Sequence, residues 1–255
     1  MRSGRRNHYI GVILVSIILL NFTPSVFANN DNYYHFTPVM TELIWSCRVC
    51  DMNKMNALFG ENWNSAGLFE NLSQGKRMKW YLYVGGARTI IYGSWEVFID
   101  VDIWMWNNGE NWGSYDYALE LSFFDNVSQY PSNYNFSNVI PFVPFMFPAP
   151  TGEYISSIKL SDMYDVDNRV LPTLNVEIDE FFLKPDYRSE RITIIALYNG
   201  DGILSSLKLY TIGNVVILDI ELETIPIYVL PTTLGLLGAF FIAIILYLRK
   251  RRIKK

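Results

Sequence analysis

Hydrophobic and polar positions divide the chain into three zones with different periods. At the carboxyl end, Ile225 to Leu248 runs 24 residues without a charge and is closed by Arg249-Lys250-Arg251-Arg252 and Lys254-Lys255. A helix of that length is about 36 Å long, enough to cross a hydrocarbon layer of about 30 Å with some tilt. The pattern predicts a transmembrane helix over 225–248 and a basic tail, 249–255, kept in the cytoplasm because cations are costly to move through a bilayer. At the amino end, Arg2, Arg5 and Arg6 precede the shorter apolar run Ile10 to Leu20 and then Val26-Phe27-Ala28. A basic start, an apolar core too short to span and small residues before the cut predict a signal peptide over 1–28, with an uncleaved second anchor as the alternative.

Between these ends, 29–224 alternates as a folded domain does. From Thr37, a capping residue followed by Pro38, the stripe Met40, Leu43, Ile44, Cys47 and Cys50 predicts a short helix. Asn62 to Gly75 reads as loop. The period then becomes two: Met78 to Val84 and Thr89 to Tyr92 read as short strands split by Gly85-Gly86, and Trp95 to Trp106 is the clearest strand. On it Val97, Ile99, Val101, Ile103 and Met105 point to the core, and Glu96, Phe98, Asp100, Asp102, Trp104 and Trp106 point away. Tyr115 to Phe124 returns as its partner after Asn107-Asn108-Gly109. Val176 to Leu183, Arg191 to Tyr198, Ile203 to Thr211 and Val215 to Leu222 follow, with Asn199-Gly200-Asp201-Gly202 as a hairpin turn whose Asn and Gly residues tolerate positive φ. Asp162, Asp165, Asp167 and Asn168 read as a polar turn, because Arg169 and Val176 occupy positions where a calcium loop needs ligands. The fold class is therefore mainly β, a β-rich α+β chain: an antiparallel sandwich or curved half-barrel with a short N-terminal helix, plus the C-terminal transmembrane helix.

Charge is unevenly placed along the 255 residues. Three of the 21 Lys and Arg precede Asn29 and six follow Leu248, so the segment 29–224 holds twelve cations against all 25 acids. Nucleic-acid binding, which needs a basic footprint on phosphates, is excluded as a function class. With only His8 and His35 in the chain, histidine triads and multi-histidine zinc sites are excluded as well. No cofactor motif is present.

Several stretches carry local meaning. Ile140 to Pro150 interleaves four prolines with Phe142, Phe145, Met146 and Phe147, so it is neither helix nor central strand. It is an extended apolar crossing, packed across the sheet or, alternatively, a docking, membrane-dipping or lid segment. Cys47 and Cys50 are the only cysteines; three apart on a helix they are within disulfide reach, with two core thiols, a redox pair or a metal pair as the other readings. Asn71, Asn126 and Asn135 each begin an Asn-x-Ser glycosylation sequon. Gly235, Ala239 and Ala243 recur every fourth residue of the anchor, a seam for weak homodimerisation. Asp100 and Asp102 beside Trp104 and Trp106 offer carboxylates next to aromatic rings, more suited to holding a sugar than to cleaving one.

A signal peptide, Gly75-Lys76-Arg77-Met78-Lys79-Trp80, Trp95-Glu96, Phe145-Met146-Phe147-Pro148-Ala149-Pro150, Tyr198-Asn199-Gly200-Asp201-Gly202-Ile203-Leu204 and Ile225-Pro226 before a basic tail occur together. In this combination the chain resembles the uncharacterised single-pass surface proteins of Asgard (Lokiarchaeota-like) archaea. It departs from many of them in having Ile227 after Ile-Pro. The Tyr198 to Leu204 hairpin is also similar to those of curved sheets of the lipoprotein-carrier type, an analogy of fold alone. The resemblance implies an architecture and no activity, cofactor or catalytic residue. The expected function is a non-enzymatic binding or envelope module held at the cell membrane, with an unknown surface partner; an apolar-ligand or lipid carrier is the alternative.

Overall fold

The computed structural model describes residues 34–36, 40–89, 95–109, 111–136, 142–178 and 191–223. The signal peptide, the run 225–248, its seam at Gly235, Ala239 and Ala243, and the tail 249–255 lie outside the described residues. Among those described, no helix is long and apolar enough to cross a membrane.

Nine strands form one curled antiparallel sheet, a half-barrel and not a sandwich of two sheets. In chain order they are β1 (Thr41–Cys50), β2 (Arg77–Thr89), β3 (Trp95–Asn107), β4 (Tyr117–Phe124), β5 (Tyr164–Asp167), β6 (Thr173–Ile178), β7 (Ile192–Tyr198), β8 (Leu204–Thr211) and β9 (Val215–Leu222). Their order across the sheet is β4-β3-β2-β1-β9-β8-β7-β6-β5. The chain thus meanders outward through β1 to β4, crosses to the opposite edge, and meanders back until β9 pairs with β1 at the centre. Nine strands about 4.8 Å apart span about 38 Å, so the crossing must run the width of the sheet. It runs over the inner face and forms the second layer of the core, carrying one helix, α2 (Thr151–Ser157).

That path explains the proline-rich stretch. Phe142, Phe145 and Phe147 are all buried, so the docking or membrane-dipping reading is corrected in favour of core packing. Phe145 lies edge-on to Trp45 at 5.2 Å and against Trp80 at 5.5 Å, and Phe147 lies 5.0 Å from Tyr198. Proline keeps this ribbon from pairing as an ordinary strand, yet its backbone still docks on the β7–β8 turn: Phe147 N donates to Gly202 O and Leu204 N to Phe145 O, both at 2.9 Å. Gly202, at φ +80, sits where a Cβ would come within 2.1 Å of Phe147 O, so only glycine fits between turn and ribbon.

The stretch predicted as a helix is strand over Thr41–Cys50; Thr37 and Pro38 lie outside the described residues. Leu43, Trp45 and Cys47 of β1 alternate inward, and the strand pairs with β2 on one side and β9 on the other. Its apolar residues fit a period of two as well as a helical stripe, and pairing with two sequence-distant strands decides between them. The helix comes just after: α1 (Met52–Phe59) is capped by Asp51, whose side chain accepts from Lys54 N at 3.0 Å, and ends at Gly60 with φ 89. Nor do Gly85 and Gly86 split β2. The strand continues to Thr89 through a register shift between Leu82 and Gly85, where a Cβ on Gly85 would meet Phe98 O at 2.8 Å. Tyr164–Asp167, expected as turn, is the edge strand β5.

Candidate functional site

With the inner face filled by the chain's own aromatics, open chemistry lies on the outer face. On β2 the outward positions are Arg77, Lys79, Tyr81 and Tyr83; on β3 they are Trp104, Asp102 and Asp100; on β4, Ala118 and Glu120. Cross-strand partners on one face of an antiparallel pair stand side by side, so register alone brings Lys79 to Trp104 and Tyr81 to Asp102. Lys79 Nζ sits 3.8 Å over the Trp104 ring and 5.2 Å from that of Trp112. Trp104 Nε1 donates to Gly113 O at 3.1 Å, which ties the β3–β4 loop to the sheet, and Tyr115 of that loop stands edge-on to Trp104 at 6.2 Å. Tyr81 and Tyr83 form a second edge-on pair at 5.0 Å.

The result is a shelf of rings bordered by carboxylates. Tyr115 is 49 % exposed and Tyr83 37 %, and a shallow depression of about 410 Å³ opens between Tyr83, Asp100, Asp102 and Glu120. The Tyr83 hydroxyl donates to Asp102, and this contact pushes the phenol up to about 12. Glu120 is held by Arg88, which also binds Glu96; hydrogen bonds to both carboxylates raise the guanidinium further. Asp100 is exposed beside Glu120, its cross-strand neighbour. A shelf of this kind can stack against a flat apolar ligand face while carboxylates accept hydrogen bonds from ligand hydroxyls.

Trp106, expected on this shelf, is not part of it. The register shift between Arg77 and Lys79 lets both Met105 and Trp106 be buried, and Trp106 Nε1 donates to Leu68 O at 2.8 Å. Tyr83, Tyr115, Trp112 and Lys79 were missed by sequence reasoning; the hairpin register of β3 with its neighbours is the signal that would have found them.

The other candidate residues are dispersed. Cys47 and Cys50 are free and buried, and they lie on a strand and not on a helix, so the disulfide is corrected to two core thiols. Interaction with the neighbouring thiol pushes Cys47 up and holds Cys50 below the usual thiol range, while the Cys47 thiol donates to Val49 O at 3.3 Å. Asn71 is exposed; Asn126 is exposed and caps a 3₁₀ turn by accepting from Ser128 N at 3.1 Å; Asn135 is half-buried and accepts from Ser161 Oγ. Asp162, Asp165 and Asp167 do not converge: Asp167 is held by Arg169, which lowers its carboxyl to about 2, and Asn168 turns to Gly152 O at 2.9 Å. Among the described residues no three His, Cys, Asp or Glu side chains gather to hold a metal ion. No protein-family model, curated protein or solved structure matches the chain.

Proposed function

We propose that this protein is a non-enzymatic binding module of the cell surface, held by one membrane span over 225–248 with its acidic domain outside, and that it holds hydroxyl-rich ligands of the carbohydrate class on the outer face of β2–β4. The observation that carries this reading is the shelf of exposed Tyr83 and Tyr115 with half-buried Trp104, bordered by the exposed carboxylates Asp100 and Glu120. Aromatic rings left in water on a sheet face stabilise little by themselves and serve binding when rimmed by polar groups. The surplus of acids in 29–224 and the resemblance to archaeal single-pass surface proteins support the location. The carrier reading has less support, because Phe145 and Phe147 occupy the inner face where an apolar ligand would lie.

The test uses the full chain, purified in detergent, on an array of neutral and acidic glycans. Binding of at least one glycan class is expected, with Trp104→Ala and Tyr115→Ala each weakening it by about 30-fold, the equivalent of about 2 kcal/mol for an interface anchor. Retention of no glycan, or equal retention by the doubly substituted chain, overturns the ligand class. Protease added to intact cells separately tests the location: an acidic domain left undigested overturns it.

A further inference from the structure

Three sulfur atoms meet where β1 gives way to α1. Cys47 is turned into the core by the alternation of β1. On a regular strand a residue three positions on would face the other way. The register shift between Cys47 and Val49 instead brings Cys50 back inside, and Met52 then opens α1. Cys50 Sγ lies 3.5 Å from Met52 Sδ, and Cys47, whose thiol donates to Val49 O at 3.3 Å, lies within electrostatic range of Cys50. Cys47 is 1 % and Cys50 7 % exposed, whereas Met52 is half-buried, so the cluster is closed on the core side and approachable past the thioether.

We propose that Cys47, Cys50 and Met52 form a binding site for a soft monovalent cation of the copper(I) or silver(I) type. Thiolate and thioether sulfurs are the ligands that soft ions select, and such ions accept low coordination numbers. A structural zinc site needs four nitrogen or sulfur ligands, and calcium needs six to eight oxygens. Neither set exists here, since no third Cys, His, Asp or Glu joins the pair among the described residues. The spacing fits as well. An ion about 2.3 Å from each of three sulfurs holds them about 4 Å apart, a few tenths of an ångström beyond the Cys50 to Met52 separation. Binding is a substitution with no change of oxidation state: one M⁺ replaces the two thiol protons, which leave to solvent, and two M–S(Cys) bonds and one bond to the Met52 sulfur form. The site is independent of the outer-face shelf.

The full chain, reduced and kept under nitrogen, is titrated with copper(I) in competition with a chromogenic copper(I) chelator, and the product is weighed by native mass spectrometry. One ion per chain is expected, with the neutral mass raised by that of the ion less one proton, the increment a monovalent cation gives. Met52→Leu, a substitution that conserves volume and keeps the fold, should weaken retention about tenfold, and Cys50→Ser should abolish it. Zinc should be surrendered to an equally strong zinc chelator. The proposal is overturned if the chelator strips all copper from the native chain, if the mass shows no single bound ion, if Met52→Leu holds copper as tightly as the parent, or if zinc is retained equally. The wild-type stoichiometry stands even if Cys50→Ser does not fold.

Discussion

Replacing Phe145 by alanine separates a core ribbon from a removable lid. The ring is 1 % exposed and wedged against Trp45 and Trp80, at 5.2 and 5.5 Å between centroids, with no polar atom of its own to satisfy. Truncating a buried Phe costs about 3–5 kcal/mol, the removed transfer energy plus the cavity left behind. The flanking backbone is pinned by Leu204 N to Phe145 O and by Tyr198 Oη to Pro144 O at 2.7 Å, so the ribbon cannot slide inward to fill the hole, and the upper half of that range is expected. Against a total stability of about 5–15 kcal/mol this is a large fraction. At about 2–4 °C per kcal/mol for a domain of this size, the melting temperature should fall by about 8–20 °C. Urea unfolding followed by tryptophan emission suits the measurement, because the two indoles beside the cavity report directly; the midpoint should drop with the slope unchanged. A loss below about 1 kcal/mol with unaltered emission would mean that the segment only rests on the sheet, and the lid reading would return.

Two further outcomes follow from local geometry. Gly202→Ala should cost about 2–4 kcal/mol in the same assay, since it forces a side chain into positive φ and against Phe147 O, whereas Gly200→Ala, with open space around it, should cost under 1 kcal/mol; equal losses would refute the close approach. Tyr83 should form its phenolate near pH 12, not near 10. Its folded value lies above the unfolded one, so the stability it contributes is whole below pH 10 and is lost as pH rises through about 12. Asp102→Asn, followed by NMR of labelled tyrosine, should return the midpoint toward 10, and an unchanged midpoint would refute the Tyr83–Asp102 contact.

What could be read from the chain was the period where one face meets water. The alternation of β3 as far as Ile103 and the Asn199 to Gly202 turn between β7 and β8 follow the expected register, with Val97, Ile99, Val101 and Ile103 buried as predicted, whereas on β9 a register shift against β8 turns Ile217 into the core. Reading failed where a strand is central or irregular. β1 is covered on both sides by partners far away in sequence, so nothing local distinguishes it from a helix, although Asp51 and Gly60 marked the true helix beside it. Register shifts at Cys47/Val49, Leu82/Gly85 and Arg77/Lys79 each move a residue off the face that simple alternation assigns. The same shifts create the chemistry: one gathers the sulfurs, and another removes Trp106 from the shelf. β5, only four residues long, had no period to read. The shelf was legible in Asp100, Asp102 and Trp104, but Tyr83 and Tyr115 join it through pairing and loop anchoring that no single stretch encodes.

The rest of the outer face argues that the shelf is not there for stability. Across β1, β9 and β8 the outward positions form a ladder of opposite charges: Arg48 to Glu221 at 2.7 Å, and Lys208 to Asp219 and Glu221 at 3.3 and 3.5 Å. Burial alone would lower the Lys208 ammonium, but the two carboxylates outweigh it and raise it. At the far edge Arg191 pairs with Glu177 between β7 and β6, and on β2–β4 Arg88 bridges Glu96 and Glu120. Exposed pairs of this type contribute little energy each, about 0–1 kcal/mol, but they discourage sheet-to-sheet association. The aromatic shelf breaks into that pattern at the side of the sheet nearest the open edge strand β4, where rings stand among the pairs Arg77–Glu223 and Lys79–Glu42. A surface selected only for solubility would continue the ladder through positions 81, 83 and 104. Converting Tyr81 to Thr and Tyr115 to Lys, which leaves the Tyr83–Asp102 and Lys79–Trp104 contacts in place, should therefore leave the urea midpoint nearly unchanged while weakening ligand retention. A large loss of stability would instead make the rings a structural covering for β3.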